Sequence, residues 1–220
     1  VTYITPGINP DQFRFDLVSR RALKESWNVS DRKIILTTAM LRPGVKTIGV
    51  EKVIECCSEL RKNGHRVLLV VIGDGINRGL LEREAREKLS EDVLFLGKIP
   101  RVELYRYYSA ADIFAFPGIQ ESLGMVYLEA QSSGLPVVAF RDWGAKETVL
   151  HEKTGLLSSA EQPDTFCRDI EVLLTNRTKR IEMRNAAKEH IRTNHDSARN
   201  YQRVNQALLS IASAFTANKK

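Results

Sequence analysis

Glu121 and Glu129 stand eight positions apart in the run ESLGMVYLEA. The segment from Phe114 to Phe140 reads as a buried strand, a loop with Glu121 and Gly124, a helix carrying Glu129, and a second buried strand. A helix start near Leu123 leaves the N–H groups of Gly124, Met125 and Val126 without acceptors inside the helix, at the positive end of its dipole. Such a helix end binds anions, phosphates above all. Glu129 lies five residues past Gly124, about 7.5 Å further along the axis, so it reaches a group attached to the phosphate rather than the phosphate itself. A ribose diol is the natural partner for that carboxylate. Glu121 lies on the other side of the phosphate position, where the hydroxyls of a transferred sugar would be. Taken singly, each glutamate is more simply a solvated acid. Paired around a glycine-containing helix start, they point to a nucleotide sugar.

Further candidates lie in the loops that follow other apolar runs. MLRPGVK holds Arg42 and Lys46, which could approach a pyrophosphate, Arg through its planar fork and Lys as a point charge. As isolated residues they read as solvated loop cations. GDGINRG contributes Gly73 and Gly75, where the backbone can come close to a ligand, but it lacks the G-x-G-x-x-G spacing of a dinucleotide fingerprint. GKIP, with Gly97 and Ile99, offers backbone groups that could pair with a base edge; a plain strand-to-helix turn explains it equally well.

The elements that would position these loops alternate along the chain. Short apolar strands are expected at Ile34 to Ala39, Arg66 to Ile72, Val93 to Leu96, Ile113 to Phe116, Val137 to Phe140 and Gly155 to Leu157. Amphipathic helices are expected at Asp16 to Trp27, through Val50 to Leu60, and at Leu80 to Leu89 and Val102 to Ala110. A short one starts at Lys146, and three more span Thr165 to Leu174, Arg180 to Ile191 and Ala198 to Ala214. Parallel strands joined by crossover helices give this alternation. The fold class is therefore α/β: a Rossmann-like, doubly wound parallel sheet of about six strands, which binds ligands outside the carboxyl ends of its strands. Residues 1–15, rich in Pro and Gly, read as an interdomain linker, and residues 16–220 as one domain.

With 43% hydrophobic residues in 220, one α/β core is affordable. No apolar run approaches a membrane span, and no secretory signal is visible. Three cysteines form neither a disulfide framework nor a spaced metal-ligand set, so a reducing compartment is expected: the cytoplasm, or the inner face of its membrane. The net charge of +6 is compatible with a phosphorylated ligand but does not select among anionic partners. Between Arg177 and Arg203, eight Lys/Arg stand against three Asp/Glu. Their dispersion reads as solvated helix faces rather than a surface for lipid or another domain. His151 and His195 lack a visible partner set and read as structural or surface residues. Trp143 reads as a packing residue, with the donor pocket as the alternative.

ESLGMVYLEA resembles the E-x7-E motif of retaining GT-B glycosyltransferases of family 4, the group 1 glycosyl transferases. VIGDG, DVLFLGKIP, LYRYYSAADIFAFPG, EAQSSGLPVVAF and GAKETVLHEKTGLL follow that pattern in order, and ITPGINPDQF is similar to the linker into its C-terminal domain. The resemblance covers about residues 1–200. It implies the C-terminal half of a GT-B fold, the donor-binding domain, with the N-terminal acceptor-binding domain absent from this chain. It also implies that Glu121 contacts the donor sugar, Glu129 the ribose and the amides around Gly124, Met125 and Val126 the diphosphate, while Arg42 and Lys46 neutralise the leaving group. The chain departs from the pattern where Thr47 follows the lysine and glycine comes only at Gly49, and where Ser122 replaces a commoner glycine.

The implied reaction moves a sugar from a nucleoside-diphosphate sugar to an acceptor glycan, lipid or small molecule, with anomeric retention. It needs no metal or further cofactor, and a nucleic-acid partner is not expected. Peripheral membrane contact of the whole enzyme is compatible with such acceptors. Two other readings share the site: a nucleotide-binding module without turnover, and a GT-B-fold sugar-nucleotide epimerase.

Overall fold

The computed structural model describes residues 3–29 and 31–217. The elements in order are α1 (Leu17–Ser26), β1 (Lys33–Thr38), α2 (Val45–Lys62), β2 (Val67–Ile72), α3 (Arg78–Leu89), β3 (Val93–Phe95), α4 (Leu104–Ala110), β4 (Ile113–Ala115), α5 (Met125–Ser132), β5 (Val137–Phe140), α6 (Trp143–Thr148), β6 (Gly155–Ser158), α7 (Asp164–Thr175), α8 (Arg177–Asn194) and α9 (Ser197–Ala217). All six expected strands form, and they make one parallel sheet of order β3-β2-β1-β4-β5-β6. This is the doubly wound Rossmann order, whose switch point lies between β1 and β4. The register there sets Ile35 beside Ile113 and Leu36 beside Phe114.

The residues explain why the sheet is buried on both faces. Every residue of β2 (VLLVVI), β4 (IFA) and β5 (VVAF) is buried, the uninterrupted apolar pattern of strands covered by helices on two sides. Helices α2, α3 and α7 pack together over one face, while α1, α4, α5 and α8 group on the other. On that second face Tyr108 and Phe114 (ring centroids 5.9 Å apart) and Phe114 and Tyr127 (6.1 Å) form a continuous aromatic wedge under α4 and α5.

Of the helix starts that differ from the expected ones, three have a local reason that bears on the site. α2 begins at Val45, because Gly44 takes φ +102° at its N-cap, and this places Lys46 in the first turn of a helix rather than in a loop. α5 begins at Met125 instead of near Leu123, because Gly124 adopts a left-handed φ of +64°. α6 begins at Trp143 instead of Lys146, capped by the Asp142 carboxylate accepting from the Trp143 amide. Trp143 is 64% exposed, so the packing role expected for it is not the one the fold gives it.

Residues 3–15 lie along the domain rather than apart from it. Phe13 is fully buried, and the Ser132 and Ser133 hydroxyls donate to the carbonyls of Pro10 and Phe13. Ile8 exchanges backbone hydrogen bonds with His195 and Ser197, which ties this segment to the α8–α9 junction. Among the three cysteines, Cys56 and Cys57 are buried and all are free.

His195 is structural, as expected. Its ring is buried, with Nδ1 2.7 Å from the Pro6 carbonyl and Nε2 3.2 Å from Nε2 of His190. Burial, then repulsion from His195, lowers the His190 pKa to about 4, and burial also lowers that of His195. Unfolded histidine titrates near 6.5. The unfolded chain thus binds more protons than the native one as pH falls from about 6.5 toward 4, and stability drops over that window. Urea melts at pH 7 and pH 5 should show a lower midpoint at pH 5, and His190→Gln should shrink the difference. An undiminished difference in the variant would exclude the histidine pair as its source.

Candidate donor-binding site

The two strands at the switch point send their chains to opposite faces, β1 into α2 and β4 into α5. Their loops therefore diverge and leave a crevice between two helix N-termini. The Lys46 ammonium, in the first turn of α2, contacts the Glu121 carboxylate in the loop before α5, and it also sits over the Phe116 ring, 5.3 Å from its centroid. Residues 75 positions apart are thus brought into one cluster. Thr47 fixes the β1–α2 loop: its hydroxyl donates to the Arg42 carbonyl (2.6 Å) and accepts from the Asn77 amide (3.0 Å). The Arg42 side chain is exposed and has no hydrogen-bond or ion-pair partner among the described residues.

At the start of α5, Met125 and Val126 are the first two helical residues, so their amides have no intrahelical acceptor. Gly124 is the cap itself, and a Cβ there would come within 2.9 Å of the Gly144 carbonyl oxygen and the Thr148 hydroxyl. The Glu121 carbonyl accepts from the Gly144 amide at 2.7 Å, and the Gln120 amide donates to Asp142 at 3.3 Å. These contacts fasten the Glu121 loop to the α6 start on the far side of β5.

Glu129 is not the surface residue that its sequence context alone allows. Its side chain is 8% exposed, and Oε1 receives both Nε (2.9 Å) and an Nη (2.8 Å) of Arg101. Oε2 accepts from the Tyr108 hydroxyl at 3.1 Å, which in turn lies 3.3 Å from the hydroxyl of Thr38, the last residue of β1. Burial raises the Glu129 pKa, against the pull of Arg101 and the Tyr108 hydrogen bond. Because helical side chains lean toward the N-terminus, this carboxylate sits under the same end of α5 that offers its free amides. The Arg101 guanidinium is stacked 5.2 Å from the Phe13 ring centroid.

The glycines of the neighbouring loops do a structural job. The Gly73 amide donates to the Gly97 carbonyl at 2.9 Å, and a Cβ on Gly73 would lie 1.8 Å from the Ala39 carbonyl oxygen. Leu41 and Asp74 are likewise joined through the backbone at 3.0 Å. Gly73 and Gly75 therefore let the loop after β2 lie against the loop after β1, the Gly97 carbonyl joins the loop after β3 to them, and Ile99 packs against the core beside them. Arg101, Tyr108, Phe116 and Asn77 belong to the site but were not singled out in the sequence, although Tyr108 and Phe116 lie within LYRYYSAADIFAFPG and Asn77 within GDGINRG. Only the spacing of Glu129 on a helix facing α4 could have suggested that its partners lie there.

The family of group 1 glycosyl transferases matches residues 19–190. The chain belongs to that family. The GDP-mannose-dependent alpha-(1-6)-phosphatidylinositol monomannoside mannosyltransferase of Mycobacterium tuberculosis is 30% identical over 197 residues, covering 86% of this chain and 50% of its own. The sucrose-phosphate synthase of Thermosynechococcus elongatus superposes with a TM-score of 0.80 at 23% identity, over 96% of this chain and 52% of its own. Anabaena HepE in complex with UDP-glucose superposes with a TM-score of 0.76 at 20% identity, over 93% and 56%. These two structures share the fold of this group 1 domain. The chain spans about half the length of the curated relatives it matches.

Two substitutions check this geometry. Arg101→Gln removes the cation that offsets burial of Glu129, so the Glu129 carboxyl should titrate at higher pH, read by carbon NMR of labelled glutamate. An unchanged titration would mean the guanidinium does not hold this carboxylate. Gly73→Ala should cost about 2 kcal/mol or more of folding stability, measured by denaturant melts.

Proposed function

We propose that this domain is the donor-binding half of a retaining glycosyltransferase acting on a nucleoside-diphosphate sugar. The observation that carries the proposal is the cluster at the switch point. Lys46 is paired with Glu121 beside the unsatisfied amides of Met125 and Val126, and the buried Glu129 lies beneath the same helix end.

In this reading the diphosphate docks on the α5 N-terminus. Lys46 exchanges its carboxylate partner for phosphate oxygens, and Arg42, exposed on the same loop, closes over them. Glu121, released from Lys46, accepts hydrogen bonds from the sugar. Glu129 accepts from the ribose while Arg101 and Tyr108 hold it in place, and the loops at Gly73, Gly75, Gly97 and Ile99 present backbone to the base. When the bond from the anomeric carbon to the diphosphate oxygen breaks, negative charge grows on that oxygen. Preorganised N–H donors and cations stabilise such charge without reorganising. The acceptor is held by a second half of the enzyme, so this domain alone binds donor and transfers little or nothing.

Support for the nucleotide-sugar class comes from relatives and from the fold. Curated relatives at 30–34% identity are named as GDP-mannose-dependent, and a protein of the same fold is described with UDP-glucose. GDP-mannose is therefore the first donor to try. No helix among the described residues is long and apolar enough to cross a membrane, and no cluster of metal-ligand residues occurs among them.

Isothermal titration with GDP, UDP and ADP, and then with the matching nucleotide sugars, tests the reading. Glu129→Ala should weaken nucleoside diphosphate binding about tenfold or more, the loss of hydrogen bonds to a charged group. Glu121→Ala should leave nucleoside diphosphate affinity nearly unchanged and weaken the intact nucleotide sugar. Equal losses for the diphosphate in both variants would refute that division of roles, and no binding of any nucleotide would refute the assignment itself.

A further inference from the structure

At the opposite end of the same strands, the structure gathers a second set of cations. Arg20 and Lys24 of α1, Lys33 at the first position of β1, and Arg177, Arg180 and Arg184 of α8 line a cavity of about 240 Å³, with Asp112 and Ile181 completing its wall. The expected solvated faces of the 177–203 stretch are not what forms here: three of its arginines converge with three cations from the N-terminal third of the domain. Lys33 opens β1 and Lys46 follows its other end, so a strand of six residues, about 17 Å of backbone, separates this cavity from the donor crevice.

Most of the charge in the cavity is uncompensated. Asp112 is its one carboxylate, and it is already engaged by Arg20 (2.7 Å), Lys24 (3.3 Å) and the Ile34 amide (3.0 Å). A neighbouring hollow at the same end of the sheet shows the contrast: there Arg32 and Arg61 pair with Asp92, and Arg66 pairs with Asp31. In the cationic cavity, burial lowers the pKa of Lys24, Arg180 and Arg184; Asp112 pulls each of them the other way, and neighbouring arginines push them further down. Partly buried like charges at close quarters destabilise a fold unless something answers them.

The arginines are also held as a receptor's would be. One Nη of Arg180 donates to the Leu173 and Leu174 carbonyls at the end of α7, and Nε of Arg184 donates to the Gly134 carbonyl at 3.3 Å. Arg20 donates to the carbonyls of Ser109, Ala110 and Ala111. These carbonyls fix the guanidinium planes and leave the second Nη of Arg180 and both Nη groups of Arg184 without a hydrogen-bond partner among the described residues. The side chains of Lys33 and Arg177 have no partner of any kind there.

We propose that this cavity is a binding site for a phosphomonoester group, distinct from the donor site. Guanidinium forks match the spacing of tetrahedral oxyanion oxygens. A dianion answers more of the surplus charge than a carboxylate does, and the volume falls below the range of drug-sized ligand pockets, which suits a phosphate group rather than a nucleotide. The phosphate can belong to a soluble metabolite or to a lipid headgroup, and the two sources share the same contacts.

The test is phosphate binding by the 220-residue chain with the donor site saturated by nucleoside diphosphate, followed by phosphorus NMR or calorimetry. One phosphate should still bind, and Lys33→Gln/Arg177→Gln should weaken it about tenfold or more. Nucleoside diphosphate affinity should be unchanged in that variant. Neither residue caps a helix or pairs with a carboxylate, and each adds to the like charge of the cavity, so the variant should fold with a melting midpoint no lower than the parent's. Flotation with phosphatidic acid vesicles, against phosphatidylcholine vesicles, separates the sources. Selective co-flotation that the double variant loses supports the site as a lipid phosphate receptor; phosphate binding without flotation supports it as a soluble one. The proposal fails if nucleoside diphosphate displaces the phosphate, if the double variant binds phosphate as well as the parent, or if neither phosphate nor phosphatidic acid binds.

Discussion

Adjacent parallel strands whose chains leave toward opposite faces of a sheet open a crevice beyond their carboxyl ends, where the hydrogen-bond ladder stops. In this protein the crevice lies past the ends of the paired strands β1 and β4, and the site depends on it. Both exits carry a glycine with positive φ into a helix, Gly44 for α2 and Gly124 for α5, so two helix N-termini border one crevice. Lys46 and Glu121 meet there because these two loops are neighbours in space. The same arrangement makes the crevice favourable for an anion, since both helix dipoles end positive beside it.

Around that crevice the domain uses buried polar groups to position, rather than to stabilise. Glu129 is removed from water at a cost that Arg101 and Tyr108 offset only in part, and its raised pKa records the remainder. A carboxylate held by two arginine nitrogens at one oxygen and a tyrosine hydroxyl at the other has one orientation, and the Tyr108 contact with Thr38 links it back to β1. The Asp112 cluster at the other end of the strands has the opposite balance, one acid among six cations. One end of the sheet is thus arranged around carboxylates that accept hydrogen bonds and the other around donors that lack an acceptor.

Much of this was legible in the sequence because it is written in local patterns. The unbroken apolar runs of β2, β4 and β5 signal strands covered on both faces, and the amphipathic stretches between them signal crossovers. Even the short β6 was visible at Gly155. Helix starts were less legible: Gly124 and Gly44 set them through backbone conformations that periodicity does not report. Trp143 was misread for a related reason, since large aromatic residues are usually buried on average, whereas here the Asp142 cap turns this one outward at the start of α6.

By itself, then, the amino-acid sequence determined the α/β class, the six strands in their order along the chain, and the pair of glutamates flanking a helix start, because these follow from composition and spacing over a few residues. Its motifs also identified the family. Only the tertiary structure decided which distant residues share a site. Lys46 reaches Glu121, Arg101 and Tyr108 enclose Glu129, and α1, β1 and α8 pool their cations, through strand order and helix packing between segments far apart in the chain. No local signal encodes such proximities, because they are properties of the packed sheet and its two helix layers.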